Sequence, residues 1–345
     1  MSDADSTTGV PLGVTFASLT ALGTAGAVDV ASEARALGYD SFWAAEVTGE
    51  EAFALLGHVG ALNPGLGLGT GVVALQLRTP PLAAMAAATL QALDPSREVI
   101  LGVGISSPVV AGRWHGATYG DRPLAQVREY LHVVRELLSG EAVTHDGDFY
   151  RLSRSRLTVR LGERKPKLVL GALNPGMLRL AGETADGVLL NYLPSSHVPW
   201  SIDHVRAGEA KAGRPAGSCE VFAYVHAGVC ERGQNAVAAA QRDLFSYAVV
   251  DAYAASFTRA GFAAEVDAVR AAHAERDRQG ALAAVSDAFI DAIDFVGTGS
   301  EVAAFVARYV AAGVERPVLM PLPWGDDRRA TVTATLPAAR SGCQT

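Results

Sequence analysis

The chain has 345 residues, 49% of them hydrophobic and 19% charged, with a net charge of −7. That is enough apolar material for one large core, and the mildly acidic balance lacks the basic stripe that a binder of nucleic-acid backbones needs. Three cysteines (Cys219, Cys230 and Cys343) in no CxxC spacing argue against a disulfide framework and for a reducing compartment.

In chain order, Met1 to Gly9 is polar, without the apolar stretch of a signal peptide. Val10 to Phe16 predicts a first strand, and Val28 to Leu37 a helix closed by Gly38. Ser41 to Ala45, Leu66 to Ala74 and Val99 to Val103 predict strands two to four. The helices Glu50 to Val59, Pro81 to Leu93 and Pro123 to Leu138 follow them in turn. The alanine-rich run from Leu82 to Leu93 is too short and mixed to span a bilayer. Leu168 to Leu170, Val188 to Leu190, Val221 to Val229 and Val318 to Met320 predict strands five to eight. Met177 to Ala185 reads as the fifth helix, and Glu301 to Ala311 as the helix before the last strand.

These strands are continuous apolar runs, as fully buried parallel strands are. Eight such units in series predict an α/β fold of the (β/α)8 barrel type, with a doubly wound open sheet as the alternative. Two stretches exceed the repeat. Gly140 to Lys167, with the turn signal His145-Asp146-Gly147-Asp148, reads as an insertion after the fourth helix. Its basic residues Arg151, Arg154, Arg156, Arg160, Arg164, Lys165 and Lys167 suit a solvated hairpin. Asn235 to Ile293 reads as a helical insertion between strands seven and eight, broken at Gly261 and Gly280. Either could cap the barrel mouth or pack against a partner subunit. The expected domain runs from 10 to 336, with flexible tails at 1–9 and 337–345.

In a barrel of this kind the chemistry sits just past the strand ends. Those positions are Glu46-Val47, Gly71-Val72-Val73, Gly104-Ile105-Ser106-Ser107, Gly171 to Gly176, and Asn191-Tyr192. Glycine there lets a flat ligand approach the backbone. Asn174-Pro175-Gly176-Met177 suits a helix start, with Asn174 as cap, Pro175 first, and the N–H groups of Gly176 and Met177 free for a phosphate. An ordinary strand-to-helix turn has the same pattern. No GxxxxGK[ST] is present, and Ser107 breaks a GxGxxG beginning at Gly102. His58, His115, His132 and His145 show no metal spacing, and no metal is expected. His115, beside Trp114 in the loop after the fourth strand, is the one histidine placed to face the site.

Several segments, in order, resemble the luciferase-like monooxygenase superfamily, and within it the deazaflavin-dependent oxidoreductases of actinobacteria, akin to methylene-tetrahydromethanopterin reductase. They are YDSFWAAEV (39–47), LGLGTGVVALQLRTPPLAAMAAATLQAL (66–93), VILGVGISSPVVAGRWHG (99–116), PLAQVREYLHVVRELLSGEAV (123–143), HDGDFYRL (145–152) and LVLGALNPGMLRLAGETADGVLLNYL (168–193). The later chain is similar only around VLMPLPWGDD (318–327). The resemblance implies a homodimeric barrel holding coenzyme F420, or less often FMN, at its strand ends. It implies a bulge at Gly71-Val72, often with a cis peptide, behind the ring. It maps the cofactor phosphate to Asn174, Pro175, Gly176 and Met177, with Gly104, Ile105, Ser106, Gly171 and Ala172 lining the same site.

Many deazaflavin relatives carry Asp-His after the second strand, where this chain has Glu46-Val47. Glu46 can take the carboxylate role, but Val47 cannot exchange a proton. The acid would then be His115, Ser106, Ser107, Tyr192 or a group of the substrate side; histidine is the natural first candidate near neutral pH. Ser107, Trp114, Tyr192 and Trp324 are candidate substrate contacts. The expected activity is hydride transfer between the deazaflavin C5 and a small organic or modified-peptide substrate bearing an imine, enone or dehydroamino-acid group. Alternatives are an FMN-dependent monooxygenase, a non-catalytic flavin-binding barrel and, more remotely, a glutamate-based hydrolase. A soluble cytoplasmic homodimer without nucleic-acid or membrane partners is expected.

Overall fold

The computed structural model describes residues 9–16 and 22–344. The first half alternates strand and helix: β1 (Gly13–Thr15), α1 (Gly23–Ala36), β2 (Ser41–Ala44), α2 (Ala52–Leu62), β3 (Gly67–Thr70), β4 (Val73–Ala74), α3 (Pro80–Leu93), β5 (Val99–Gly104) and α4 (Pro123–Leu138). A hairpin of β6 (Val143–Asp146) and β7 (Arg151–Ser155) precedes β8 (Lys167–Gly171), α5 (Pro175–Thr184), β9 (Gly187–Leu190), α6 (Val198–Lys211) and β10 (Glu220–Val229). Then come α7 (Gln234–Ala248), α8 (Asp251–Phe257), α9 (Ala263–Ala274), α10 (Arg278–Ala283), α11 (Asp287–Ile293), β11 (Asp294–Gly297), α12 (Gly299–Ala311), β12 (Arg316–Pro321) and α13 (Arg328–Ser341).

Strands β1, β2, β3, β5, β8, β9, β10 and β12 pair in parallel in that order. Strand β12 returns to β1, so the ring closes and the open sheet is excluded. Inside it lie Trp43, Ile100, Val169, Leu189, Phe222, Tyr224 and Val318. Gly69 serves this filling directly, since a Cβ there would fall 2.5 Å from the Trp43 ring. Each large apolar side chain buried in this way contributes roughly 1.5–3 kcal/mol. Outside the ring, the alanine face of α3 (Ala83, Ala84, Ala87, Ala88) lets that helix sit close to the strands. The apolar stripe of α4 buries Val127, Tyr130, Leu131, Val134 and Leu138 at helical spacing.

Several expectations need correction. The third strand is not continuous from 66 to 74: it breaks at a cis peptide between Gly71 and Val72, and the chain resumes as β4 against β5. The helical insertion bends at Gly261, whose φ is +106°, but not at Gly280. Gly280 lies inside α10, its N–H donating to the capping carboxylate of Asp277, and the bend comes earlier, at Arg276 with φ +62°. The chain beyond 337 is no loose tail as far as residue 344. Helix α13 buries Thr331, Val332, Thr335, Leu336 and Ala339, and Cys343 is fully buried. Threonines in that stripe disguise its apolar spacing. The Tyr39 hydroxyl donates to Leu336 O (2.8 Å), and Val10 N to Cys343 O (3.0 Å). Residues 1–8 and 345 lie outside the described residues. The eight apolar runs of the sequence do not mark helix α6 or strand β11; β11 extends the sheet beside the end of β10, with His226 opposite Asp294.

The two insertions behave differently. The β6–β7 hairpin is antiparallel, and Glu129 of α4 anchors its turn by accepting from the N–H groups of Asp148, Phe149 and Tyr150. Helices α7 to α11 build a second core around Leu244, Phe257, Val266, Val269, Phe289 and Ile293. All three cysteines are unpaired. No helix of the described residues is long and apolar enough to cross a membrane.

Candidate active site

A cavity of about 580 Å³ opens at the carboxyl ends of the barrel strands. Most of the residues expected from sequence line it: Gly71, Val72, Gly104, Ile105, Ser106, Ser107, Gly171, Ala172, Asn174, Gly176 and Met177. Its opposite wall comes from the loop into α8 and from α8 itself, with Val250, Asp251, Ala252 and Tyr253. The α7–α11 insertion therefore caps the barrel mouth. The hairpin contributes nothing to the lining.

The glycine tips serve the protein's own packing before any ligand. A Cβ on Gly104 would lie 2.8 Å from Val72 Cγ2, and one on Gly171 3.1 Å from Val72 Cγ1. Both glycines thus make room for the Val72 side chain at the cavity floor. A Cβ on Gly71 would strike the Tyr224 hydroxyl at 1.9 Å. That hydroxyl donates to Gly71 O (2.6 Å), while Gly71 N donates to Ala44 O (2.8 Å), so the bulge is held from both sides. A broad, partly apolar floor of this kind suits the face of a flat ring.

At the start of α5, Asn174 is the cap residue and Pro175 the first helical residue, without an N–H of its own. Leu178 N is satisfied by Asn174 O (2.9 Å), whereas Gly176 and Met177 are among the leading residues whose N–H groups no earlier helical turn can accept. The positive end of the helix dipole faces the cavity there. Sequence reasoning missed the cation beside it. Arg259, between α8 and α9, donates to Asn174 Oδ1 (2.5 Å) and Leu173 O (3.3 Å), and lies over the Trp200 ring. Nothing in the local sequence around Arg259 links it to a turn 85 residues earlier.

Other candidates do not reach the cavity. Glu46 lies behind the bulge: its N–H donates to Val72 O (3.4 Å), and its carboxylate is bound by Arg78 (Nη2–Oε1 2.5 Å, Nε–Oε2 3.0 Å) and by Ala52 N (3.3 Å). It supports the floor and does not line it. His115 is exposed, and its Nε2 is bonded to Val47 O. After β5 the chain coils into a wide helical turn over Pro108–Trp114, capped by Ser107 Oγ accepting from Val110 N (3.1 Å), and this swings His115 away. Trp114 is 58% exposed. Tyr192, turned by a φ of +48°, is buried beneath the insertion and donates to Asp243 Oδ2 (2.7 Å). Trp324 lines a different cavity, near Cys230 and Asp327.

Linear spacing also hid two clusters that the fold assembles. His132, Glu136 and His145 meet at the hairpin, and His226, Asp243 and Asp294 meet in the interior. His226 Nδ1 is 2.9 Å from Asp294 Oδ1, and Nε2 is 2.9 Å from Asn191 Oδ1. Burial holds the His226 imidazole down at about 4 and pushes the Asp294 carboxyl up to about 8. Burial, then the Asp294 charge, pushes Asp243 up to about 8 as well. Around neutral pH the cluster therefore holds a neutral imidazole and protonated acid.

The sequence profile of the family described as luciferase-like monooxygenase matches residues 12–316. The chain belongs to this family. Among its relatives, a 5,10-methylenetetrahydromethanopterin reductase of Archaeoglobus fulgidus is 28% identical, over 86% of this chain and 89% of that protein. A Mycobacterium tuberculosis protein that carries the name of a coenzyme F420-dependent oxidoreductase is 30% identical, over 84% of this chain and 89% of its own. The solved structure of the F420-dependent tetrahydromethanopterin reductase from Methanopyrus kandleri superposes with a TM-score of 0.76, covering 96% of this chain and 97% of that one at 19% identity. At that identity the structural likeness speaks for the fold.

Proposed function

We propose that this family member is an F420-dependent oxidoreductase acting on a small organic substrate, in the direction of substrate reduction. The observation that carries the reading is one cavity joining the Gly71-Val72 floor to the start of α5. The floor fits a flat ring, and the free N–H groups of Gly176 and Met177, with Arg259 beside them, fit a phosphate. Val72, Gly104, Ile105, Ser106, Gly171 and Ala172 would hold the ring, and Asn174 to Met177 the phosphate. When bound, the deazaflavin supplies hydride chemistry at its C5. The chain's own residues fix the orientation of the two reactants, narrow the mouth with the insertion, and exclude water. Glu46 acts as a support of the floor through Val72 and Arg78.

Two further parts of the reading concern assembly and location. Leu62 of α2 and Leu82, Met85 and Leu93 of α3 are exposed, and exposed apolar side chains on two packed helices fit a homodimer interface. Unpaired cysteines fit the cytoplasm. Fluorescence titration with F420 and with FMN tests the cofactor, and light scattering the dimer. F420 should bind in the micromolar range or tighter and FMN far more weakly. Micromolar FMN binding with none of F420 would overturn the reading in favour of a flavin monooxygenase.

A further inference from the structure

Where the insertion meets the end of β9, the cavity holds a pair of hydrogen-bond donors, Tyr253 of the insertion and Asn191 of the barrel, whose direction the surrounding structure dictates. Asn191, just past β9, has its Oδ1 occupied twice, by the Tyr192 N–H (2.9 Å) and by His226 Nε2 (2.9 Å). A backbone N–H can only donate, so Oδ1 is the inward atom of the amide and Nδ2 the outward one. His226 Nε2 must then carry a proton, which in a neutral ring leaves Nδ1 to accept from Asp294 Oδ1 (2.9 Å). The parallel register of β10 and β11 sets His226 opposite Asp294, so the backing is built into the sheet. The Nδ2 side of Asn191 is turned toward the Tyr253 hydroxyl. An amide nitrogen can only donate, so the Tyr253 oxygen meets it as an acceptor and its O–H is left to point elsewhere.

Both Asn191 and Tyr253 line the cavity. Of the other polar side chains there, Tyr224 is engaged with Gly71 O, Ser107 with Val110 N, Asn174 with Arg259, and Asp251 with Arg270, while Ser106 and Tyr119 line the cavity from the barrel side without the backing that His226 and Asp294 give Asn191. Tyr253 is fixed by edge contacts with Tyr192 and Tyr247, at centroid distances of 5.7 and 4.7 Å. Burial raises its hydroxyl well above the ordinary tyrosine range, so it stays a donor at working pH.

We propose that Tyr253 is the catalytic acid of this enzyme, positioned by Asn191 with His226 and Asp294 behind it, and that the substrate is a carbonyl compound, a ketone or enone. The proposal rests on the F420 oxidoreductase reading. Two donors side by side, the Tyr253 O–H and the second N–H of Asn191, match the two lone pairs of a carbonyl oxygen; an imine nitrogen has one. Bound in the cavity, the reduced deazaflavin would supply the hydride for the new C–H bond, at the carbonyl carbon of a ketone or the β-carbon of an enone. The π electrons move to oxygen, which takes the Tyr253 proton to give the alcohol or the enol. Water at the cavity mouth returns a proton to the phenolate. This places the acid on the insertion, where it answers the absence of a proton-exchanging side chain at Val47.

The test uses full-length protein with reduced F420, and cyclohexenone and cyclohexanone as probes. The wild type should oxidise the cofactor with at least one of them. Tyr253→Phe, which keeps the ring packing, should lower kcat at least a hundredfold while F420 affinity stays within twofold. Asn191→Ala should lower kcat more than tenfold with little change in KM, and His226→Gln, which keeps an N–H toward Asn191, should recover activity relative to His226→Leu. In cofactor-free protein labelled at tyrosine, the Tyr253 ring-carbon NMR signal should shift saturably on adding cyclohexenone. Turnover within threefold of wild type in Tyr253→Phe, or no response of that signal, overturns the assignment. A wild type that binds F420 but reduces neither carbonyl overturns the substrate class and leaves the cofactor reading standing. A protein that does not bind F420 sinks the cofactor reading itself.

Discussion

The two walls of the cavity are built on different principles. The barrel wall is main chain and small side chains: Gly71, Gly104 and Gly171 leave space that Val72 and Tyr224 occupy. The insertion wall presents the long side chain of Tyr253, held by neighbouring rings, with Arg259 beside the wall against Asn174. The first sets the shape of the site through packing; the second brings chemical groups to it. Substitutions on the barrel wall should therefore damage stability and function together, whereas those on the insertion wall should separate the two.

The largest effect should follow Gly71→Ala. Its Cβ would overlap the Tyr224 hydroxyl at 1.9 Å and crowd Trp43 at 3.1 Å, both fixed in the barrel interior. Overpacking of this kind costs about 1–3 kcal/mol, and the Tyr224–Gly71 hydrogen bond adds about 1 kcal/mol when displaced. Chemical denaturation should show the loss, with cofactor binding weakened in the same protein. A variant of wild-type stability would mean that the floor is far more pliable than its packing indicates.

The next effect is a pH dependence arising behind the insertion wall. Asp243 and Asp294 are pushed up to about 8 by burial. Acids raised in the folded state contribute stability that is complete below the ordinary carboxylate range. It drains as pH rises, because the unfolded chain gives up its protons first, and it is gone once the folded pair ionises near about 8. His226, held at about 4, works in the opposite sense: its contribution is complete above the ordinary histidine range and is lost as pH falls toward about 4. The two trends oppose each other in mildly acid solution, and only the acids act above it. Thermal unfolding of the wild type should therefore show falling stability from about pH 6.5 to about pH 8, with a slope of up to about 1.4 kcal/mol per pH unit for each proton. Asp243→Asn, whose amide oxygen can still accept from Tyr192, should flatten that slope. An equal slope in the variant would place the titration elsewhere.

How far this division was legible in the sequence differs between the walls. The barrel wall could be read because its elements are local: apolar runs, a cap-proline start at Asn174-Pro175, and glycines at strand tips within a few residues of each strand. The break after Thr70 was not visible as periodicity, since LGLGTGVVA reads as one apolar run; only the likeness to the family pointed to Gly71-Val72. The insertion wall depends on contacts across 51 to 85 residues, such as Asp243 with Tyr192 and Arg259 with Asn174. Helical periodicity in 235–293 marks the elements but cannot say which face meets the cavity. His115 misled for the same reason: its loop reads as irregular, yet Pro108 and Ser107 start a wide helical turn that rotates the imidazole toward Val47.

The remaining two predictions divide the walls by function alone. Arg259→Ala should leave stability within about 0.5 kcal/mol, since the side chain is exposed at the cavity edge. It should weaken F420 binding by about tenfold, the scale of one charge-assisted contact to phosphate. A deazaflavin riboside lacking the phosphate should bind the variant and the wild type alike; an equal loss for both ligands would move Arg259 away from the phosphate. The smallest effect belongs to His115→Ala. Its imidazole is exposed and serves to join two loops at Val47 O. Removing it should change stability by no more than about 0.5 kcal/mol and leave both F420 affinity and kcat within twofold. If kcat instead fell a hundredfold, the loop after β5 would have to close over the cavity during turnover and carry His115 into it. The proton would then come from the barrel side and the insertion would serve only to shape the pocket.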